Sequence, residues 1–440
     1  MAHDNGERLM AHVKYAIITF GCRVNQADSL RFEEDLLAKG ARAASPEDAD
    51  LVVVNTCSVT ATADQGARQT IRRVARENPS ARIVVTGCYA TRCPDEVGTL
   101  PNVVRVMSND EKPQVGHVLQ LVTPRGETHE CSTAARFSDG EGACGAVIEP
   151  GLAGRTAFSL RAQTGCDEPC AYCIIPATRG RPRSVPAGDL LQEVERVAAA
   201  GFKEIALTGV HLGSYGRDLS PATSLINLLH ALETAMTGRD ILFRISSLEP
   251  MDCTRDIVDL VAATRHFAPH FHLPLQHASN RMLAAMRRPY TVEYYASLVD
   301  DVRRLMPHAS IGSDVIVGFP GETDGDFDRL AAYLERSPLT HLHVFPYSDR
   351  PGTEATALSP KVPGAVIRER ARHIREAGRR LTERFQASQV GTTHRALTLD
   401  DGSVAVTGNY IKVRIPRGRA RNEWVRLRLT SQHDGELLAS

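Results

Sequence analysis

The chain has 440 residues, 42% of them hydrophobic, and its 52 Lys and Arg balance 52 Asp and Glu. That length exceeds one small domain, so two or three are expected, and zero formal charge makes any charged surface local. The sequence has no run of eighteen apolar residues, which argues against a membrane-spanning helix, and its first twenty residues lack a secretory hydrophobic core with a cleavage site. A cytoplasmic protein is expected. Thiols stay reduced there, so ten cysteines point to metal or chemistry before disulfides.

The first segment alternates strand and helix. "YAIITF" (Tyr15–Phe20), "LVVVN" (Leu51–Asn55) and "RIVVTG" (Arg82–Gly87) are apolar strand runs. Phe32 and Leu36 lie one helical turn apart, before a stop at Gly40; Ala67, Ile71 and Val74 share one face of a second helix. Such alternation predicts a parallel sheet covered by helices. Cys22, Cys57 and Cys88 each fall just past one of the three strands. Carboxyl ends of parallel strands share one edge, where ligands bind, so the three cysteines are expected to converge as a metal site. Arg68, Arg72 and Arg76 lie opposite the second helix's apolar face and are candidate phosphate contacts.

Residues 10–125 thus form a first domain, and 126–155, with weak periodicity, read as a linker. A second alternating block spans 156–375. Its candidate strands are "AFSLRA", "EIALTG", "ILFRIS", "HFHLPL", "IGSDVIVG" and "HLHVFPY". Six β/α units predict a partial (β/α)6 barrel, with active residues at the carboxyl ends of its strands. A basic helix over Val366–Arg380 leads into residues 380–440, where "HRALTLDD" and "VAVTGNYIKVRI" alternate in strand fashion around a "DDG" turn. A small β-barrel is expected there. From Ile411 to Thr430, Lys412, Arg414, Arg417, Arg419, Arg421, Arg426 and Arg428 stand against Glu423 alone. A neutral chain that gathers cations in this way points to an anionic partner such as RNA.

"TGCDEPCAYCIIPATRG" (Thr164–Gly180) follows the first barrel strand and carries Cys166, Cys170 and Cys173. A zinc site needs a fourth ligand nearby, yet no Cys or His lies between Cys173 and His211. A redox pair of Cys170 and Cys173 leaves Cys166 unexplained. The stretch is too polar for a core strand. What remains is a four-iron cube held by three thiolates, its fourth iron open to a substrate.

The CxxxCxxC spacing, with Tyr172 before the last cysteine, resembles the radical S-adenosylmethionine superfamily. Together with "TFGCRVNQADS", "NTCSVTATAD", "VTGCYA", "LTGVHLGSYG", "DVIVGFPGET" and "GNYIKVRI", it makes nearly the whole chain similar to the methylthiotransferases of that superfamily. The resemblance implies two [4Fe-4S] clusters, one on Cys166, Cys170 and Cys173, the other on Cys22, Cys57 and Cys88. The first chelates S-adenosylmethionine and cleaves it to a 5′-deoxyadenosyl radical; the second is the auxiliary, sulfur-carrying cluster. A second S-adenosylmethionine donates the methyl group, so that C–H becomes C–S–CH3. The C-terminal barrel resembles a TRAM domain, an RNA-binding module.

Residues at the barrel mouth are expected to hold S-adenosylmethionine: Tyr172, Gly209, Ser246, Ser247, Gln276, Ile316 and Gly318, with His272 and His277 as weaker candidates. "LPLQHAS" departs from the Ser-Gly that relatives often show after the glutamine. Lys412, Arg414 and Arg417 join Arg68, Arg72 and Arg76 as expected RNA contacts. Within the family, "GCRVNQADS" is most similar to the enzymes that act on N6-threonylcarbamoyladenosine at tRNA position 37. The isopentenyladenosine enzymes more usually read Gln-Met-Asn where this chain has Arg23-Val24-Asn25. A third branch modifies an aspartate of a ribosomal protein, and a non-catalytic iron–sulfur RNA-binding regulator is the reading from another class. The threonyl carboxylate calls for a cation, with Arg23 and Arg179 as candidates. The tRNA anticodon loop and S-adenosylmethionine are the expected partners, together with an unidentified electron donor and sulfur source.

Overall fold

A computed structural model describes residues 13–122, 150, 155–433 and 436–439. Cys131, Cys144 and most of the expected 126–155 linker lie outside them. The first domain is a parallel sheet of β1 (Lys14–Thr19), β2 (Arg42–Ala43), β3 (Leu51–Thr56), β4 (Arg82–Gly87) and β5 (Val103–Val106), in the order β2-β1-β3-β4-β5. All six residues of β3 are buried, as an apolar run covered on both faces should be. The helix Arg23–Ala38 stops as expected: Gly40 adopts φ +82° and its N–H donates to the Leu37 carbonyl at 2.9 Å. In the helix Ala61–Glu77, Thr60 caps the start and Ala67, Ile71 and Val74 are buried. The short strands β2 and β5 have too few residues to show a period, so nothing in the sequence marks them.

The central block carries all six expected strands. After β6 (Phe158–Arg161) comes a small antiparallel pair, β7 (Gln163–Thr164) and β8 (Arg183–Ser184), and the loop between them holds Cys166, Cys170 and Cys173. β9 (Glu204–Thr208) and β10 (Leu242–Ile245) extend β6 into one parallel sheet. β11 (His270–His272), β12 (Ser310–Val317) and β13 (His341–Pro346) form a second. Hydrogen bonds from Phe243 N–H to the His266 carbonyl and from Ala268 N–H to the Phe243 carbonyl join the two into an arc. Phe271, Ile311, Val315 and Val317 point into the helical layer and pack in one core with Ile374 and Leu381 of the helix Gly364–Gln389.

That helix, expected over Val366–Arg380, runs unbroken past residues 375–380 and delivers the chain to a closed barrel. The barrel comprises β14 (Thr393–Leu399), β15 (Val404–Thr407), β16 (Lys412–Arg414), β17 (Trp424–His433) and β18 (Glu436–Ala439). The stretch expected as one strand, "VAVTGNYIKVRI", breaks at a turn where Tyr410 takes φ +65°.

Asp28 ties the first domain to the second. It is 2% exposed and accepts from Lys112 Nζ at 2.6 Å, from Arg161 of β6 and, at 3.4 Å, from Arg179. Burial alone would raise its carboxyl, but the three cations hold it below the usual carboxylate range. Removing one member of a buried ionic group strands the rest, at a cost of roughly 3–5 kcal/mol. Asp28→Asn should therefore lower stability by about that much, read as a fall in the urea midpoint.

Candidate active site

The auxiliary cysteines converge as the parallel sheet predicts. Cys22 precedes the helix Arg23–Ala38, Cys57 follows β3, and Cys88 opens a short helix directly after β4. Gly21, at φ +89°, lets two of them approach: a Cβ there would sit 2.5 Å from Cys57 Sγ. Burial first, then the neighbouring Cys22, pushes the Cys57 thiol up to about 12. A buried thiol that resists ionising needs a cation to draw it into use as a ligand, and iron supplies one.

Cations also gather here. Arg179, 3% exposed, donates to Asn25 Oδ1 at 2.5 Å and to Thr164 Oγ1 at 3.2 Å. Its burial opposes its charge, but Cys88, Asp28 and Cys22 keep the guanidinium firmly protonated. Arg350 donates to Asp64 Oδ2 at 2.8 Å, and Arg92 to the same oxygen at 2.7 Å. Arg179 Nε and Arg350 Nε and Nη2 are buried with no hydrogen-bond partner among the described residues. An unsatisfied buried donor is costly, and an anionic three-thiolate iron–sulfur cluster beside these groups would accept from them. The residues fit that group.

The barrel triad has its own shell. Arg288 Nη1 donates to Cys170 Sγ at 3.1 Å, while its other nitrogens engage Glu249 and, at 3.2 Å, the Tyr290 hydroxyl. His211 Nδ1 lies 3.9 Å from Cys166 Sγ, and Nε2 lies 2.7 Å from Asp252. Burial works against a charged imidazole, but Asp252 and Cys166 outweigh it and raise His211 to about 9. Burial pushes the Cys173 thiol up to about 12. The loop that carries the barrel triad reaches the auxiliary site across the domain boundary. Asn109 Nδ2 lies 3.7 Å from Cys88 Sγ and donates to the Thr178 carbonyl at 2.8 Å. Thr178 and Arg179 belong to the short helix Ile175–Arg179, just beyond Cys173.

The expected S-adenosylmethionine residues sit around the same mouth, at the carboxyl ends of β9, β10 and β12 and in the loop after β11. Ser246 Oγ is buried without a partner among the described residues, which suits a ligand hydroxyl. Ser247 Oγ instead pairs with His272 Nδ1 at 2.8 Å. Gln276 adopts φ +63° and bridges to Val315 in β12. Ile316 packs with Phe319 beside Tyr172. Gly209 lies against Gln163, where a Cβ would come 3.1 Å from Oε1. Gly318, at φ +77°, donates its N–H to Glu322 Oε2 at 2.6 Å. His277 is fully buried, with Nδ1 accepting from the Ser279 N–H at 3.1 Å, and it serves the loop.

Of the expected RNA contacts, Arg68 is engaged internally by the Tyr89 hydroxyl at 2.9 Å and Glu96 at 3.1 Å. Arg72 and Arg76 are exposed on the same helix. Along β16 and β17, Lys412, Arg414, Arg426 and Arg428 face outward, while Val413, Val425, Leu427 and Leu429 fill the barrel. Arg417 is exposed beyond β16. Among the described residues, no helix is long and apolar enough to cross a membrane.

Sequence reasoning misses Arg288, His211 and Asn109 as partners of the cysteines. Only His211, inside the glycine-rich "LTGVHLGSYG", carries a signal. Its distance from Cys166 along the chain, 45 residues, hides the pairing, and folding removes that separation.

Residues 14–108 match the family described as uncharacterized protein family UPF0004, and residues 160–334 match the radical SAM superfamily. A threonylcarbamoyladenosine tRNA methylthiotransferase MtaB from Aquifex aeolicus is 37% identical over 410 residues, 91% of this chain and 96% of that one. One of the same name from Bacillus subtilis is 35% identical, over 90% and 89%. A tRNA-2-methylthio-N(6)-dimethylallyladenosine synthase from Carboxydothermus hydrogenoformans is 31% identical, over 93% and 98%. Among solved structures, the radical S-adenosylmethionine methyltransferase TsrM from Kitasatospora setae, with cobalamin and a [4Fe-4S] cluster bound, gives a TM-score of 0.54 at 14% identity. It covers 78% of this chain and 74% of that one, a likeness of fold alone. Two cysteine triads on adjoining domains, both domain matches and relatives aligned over about nine-tenths of the chain lead to one assignment: the chain belongs to the radical S-adenosylmethionine methylthiotransferase family.

Proposed function

We propose that this enzyme converts N6-threonylcarbamoyladenosine at position 37 of tRNA to its 2-methylthio derivative. The observation that carries the reading is the junction of the two triads, linked by Asn109 between Cys88 and the loop of the barrel triad. When bound, the clusters and S-adenosylmethionine supply the radical and the sulfur. Radical chemistry suits C2 of a purine, which has no acidic proton for a base to take. The protein's part is to hold and exclude. Arg288 and charged His211 fix and electrostatically support Cys170 and Cys166. Ser246 offers a hydroxyl to the adenosyl moiety, and Arg179 and Arg350 offset negative charge at the auxiliary site.

The base reaches this cleft by leaving the anticodon loop, where unpaired bases are splayed out at modest cost. The outward cations of the C-terminal barrel are the proposed tRNA contacts, through phosphates. Reversing Lys412, Arg414 and Arg417 to Glu should weaken tRNA binding and flatten its dependence on salt by roughly two to three units of slope. Filter binding across a salt series measures both. Mass spectrometry of tRNA nucleosides from cells lacking and regaining the gene tests the reaction. Loss and recovery of the 2-methylthio-threonylcarbamoyl nucleoside is expected. A change confined to the isopentenyl nucleoside would transfer the assignment to the function named for the Carboxydothermus relative.

A further inference from the structure

The concave face of β11–β13 is polar in a way the residues around the cysteines do not explain. His270 and His272, Asp314, and His341 and His343 alternate onto it, opposite the apolar residues that meet the helices. Their rings touch: His272 lies 5.3 Å from His343 and 6.2 Å from His341, and His270 lies 6.1 Å from His341. Asp314 Oδ1 is 3.1 Å from both His272 Nε2 and His343 Nδ1, so its charge is answered within the wall. Gly312 leaves the room that the His341 ring fills; a Cβ there would sit 2.1 Å from Nε2.

At the end of this wall all three domains meet. Tyr410, from the turn between β15 and β16, lies 4.8 Å from the His270 ring and is 45% exposed. Its position is fixed from beneath. Arg244 forms a two-pronged pair with Glu204, donates to the Gly408 carbonyl at 3.0 Å and lies 4.5 Å from the centre of the Tyr410 ring. From the first domain, Arg23 Nη2 reaches the Tyr410 hydroxyl at 3.0 Å. Arg23 is half-buried and has no carboxylate partner among the described residues. It is a cation positioned by Tyr410, and it directly follows Cys22 of the auxiliary triad.

We propose that Arg23, held by Tyr410, binds the carboxylate of the substrate's N6 substituent, and that the polar wall of β11–β13 houses that substituent. The inference rests on the reading of the substrate given above and adds the residues that distinguish it. In adenine both C2 and C6 bond to N1, so a group on N6 lies along the same edge as the carbon to be modified. A cation next to Cys22 would grip the substituent while C2 faces the auxiliary site. An isoprenyl tail against this wall would desolvate histidines and a carboxylate without replacing their hydrogen bonds, which is costly. A threonyl group brings acceptors and donors. Of the two cations that the sequence nominates for this role, Arg179 is occupied by Asn25, Asp28 and Thr164, which leaves Arg23.

The test compares binding of two tRNAs that differ only at adenosine 37, one unmodified and one carrying the threonylcarbamoyl group, to the full chain with its clusters reconstituted. The wild type should prefer the modified tRNA. Arg23→Gln should reduce that preference by about tenfold, equivalent to about 1.4 kcal/mol. Arg23→Lys should keep part of it, and Tyr410→Phe, which loses only the hydroxyl, should lose less than Arg23→Gln. Iron content and affinity for the unmodified tRNA report whether each variant is folded. A wild-type preference that survives intact in a folded Arg23→Gln protein overturns the assignment of Arg23 and leaves the proposed reaction standing. A wild type that does not prefer the modified tRNA, together with unchanged threonylcarbamoyl nucleosides in the deletion strain, overturns the proposed reaction itself.

Discussion

Replacing Cys166, Cys170 and Cys173 together by Ala should halve the iron content after anaerobic reconstitution, from about eight atoms per chain to about four, and abolish 5′-deoxyadenosine formation. The loop between β7 and β8 holds all three thiols, and Arg288 and His211 already stand at Cys170 and Cys166. Cys22, Cys57 and Cys88 stand on other elements, at the strand ends of the first domain, so the auxiliary triad should still load. Iron assay and chromatography of the nucleoside product give both readings. A triple variant with eight irons would remove the barrel triad from the list of ligands. Arg288→Ala is a milder probe of the same loop, since it leaves Glu249 without its partner and Cys170 without its donor.

Cys57→Ala should have the opposite signature: S-adenosylmethionine cleavage persists, iron falls to about four, and methylthiolated product disappears. Cys57 is enclosed, with Gly21 pressed against it and its ionisation opposed by burial and Cys22. Alanine removes one of three ligands and leaves the cavity polar and cationic around Arg179 and Arg350. The remaining two thiols cannot supply a third corner. Uncoupled 5′-deoxyadenosine formation measured beside product formation separates radical generation from sulfur transfer. Normal product from Cys57→Ala would mean that the converging sheet edge is not where sulfur is delivered.

Much of this architecture is legible in the amino-acid sequence. Apolar runs of five or six residues separated by helical spacing make parallel strands, and parallel strands place whatever follows them on one edge. That is why Cys22, Cys57 and Cys88, far apart in the chain, are expected together and are found together. Cys166, Cys170 and Cys173 are legible because a ligand triad confined to eight residues is a local pattern. The outward cations of β16 and β17 show for the same reason, through a period of two. The partners of the cysteines do not. Arg288 stands 118 residues from Cys170 and Asn109 lies 69 from Thr178, and no periodicity links such pairs. Tyr410 reads as the middle of a strand, and only its left-handed turn carries it to Arg23, 387 residues away. Spacing along the chain thus determined the two triads and the barrels, because secondary structure repeats over a few residues. Which charges surround each triad, and which cation is held beside Cys22 by Tyr410, was decided only when three domains packed together.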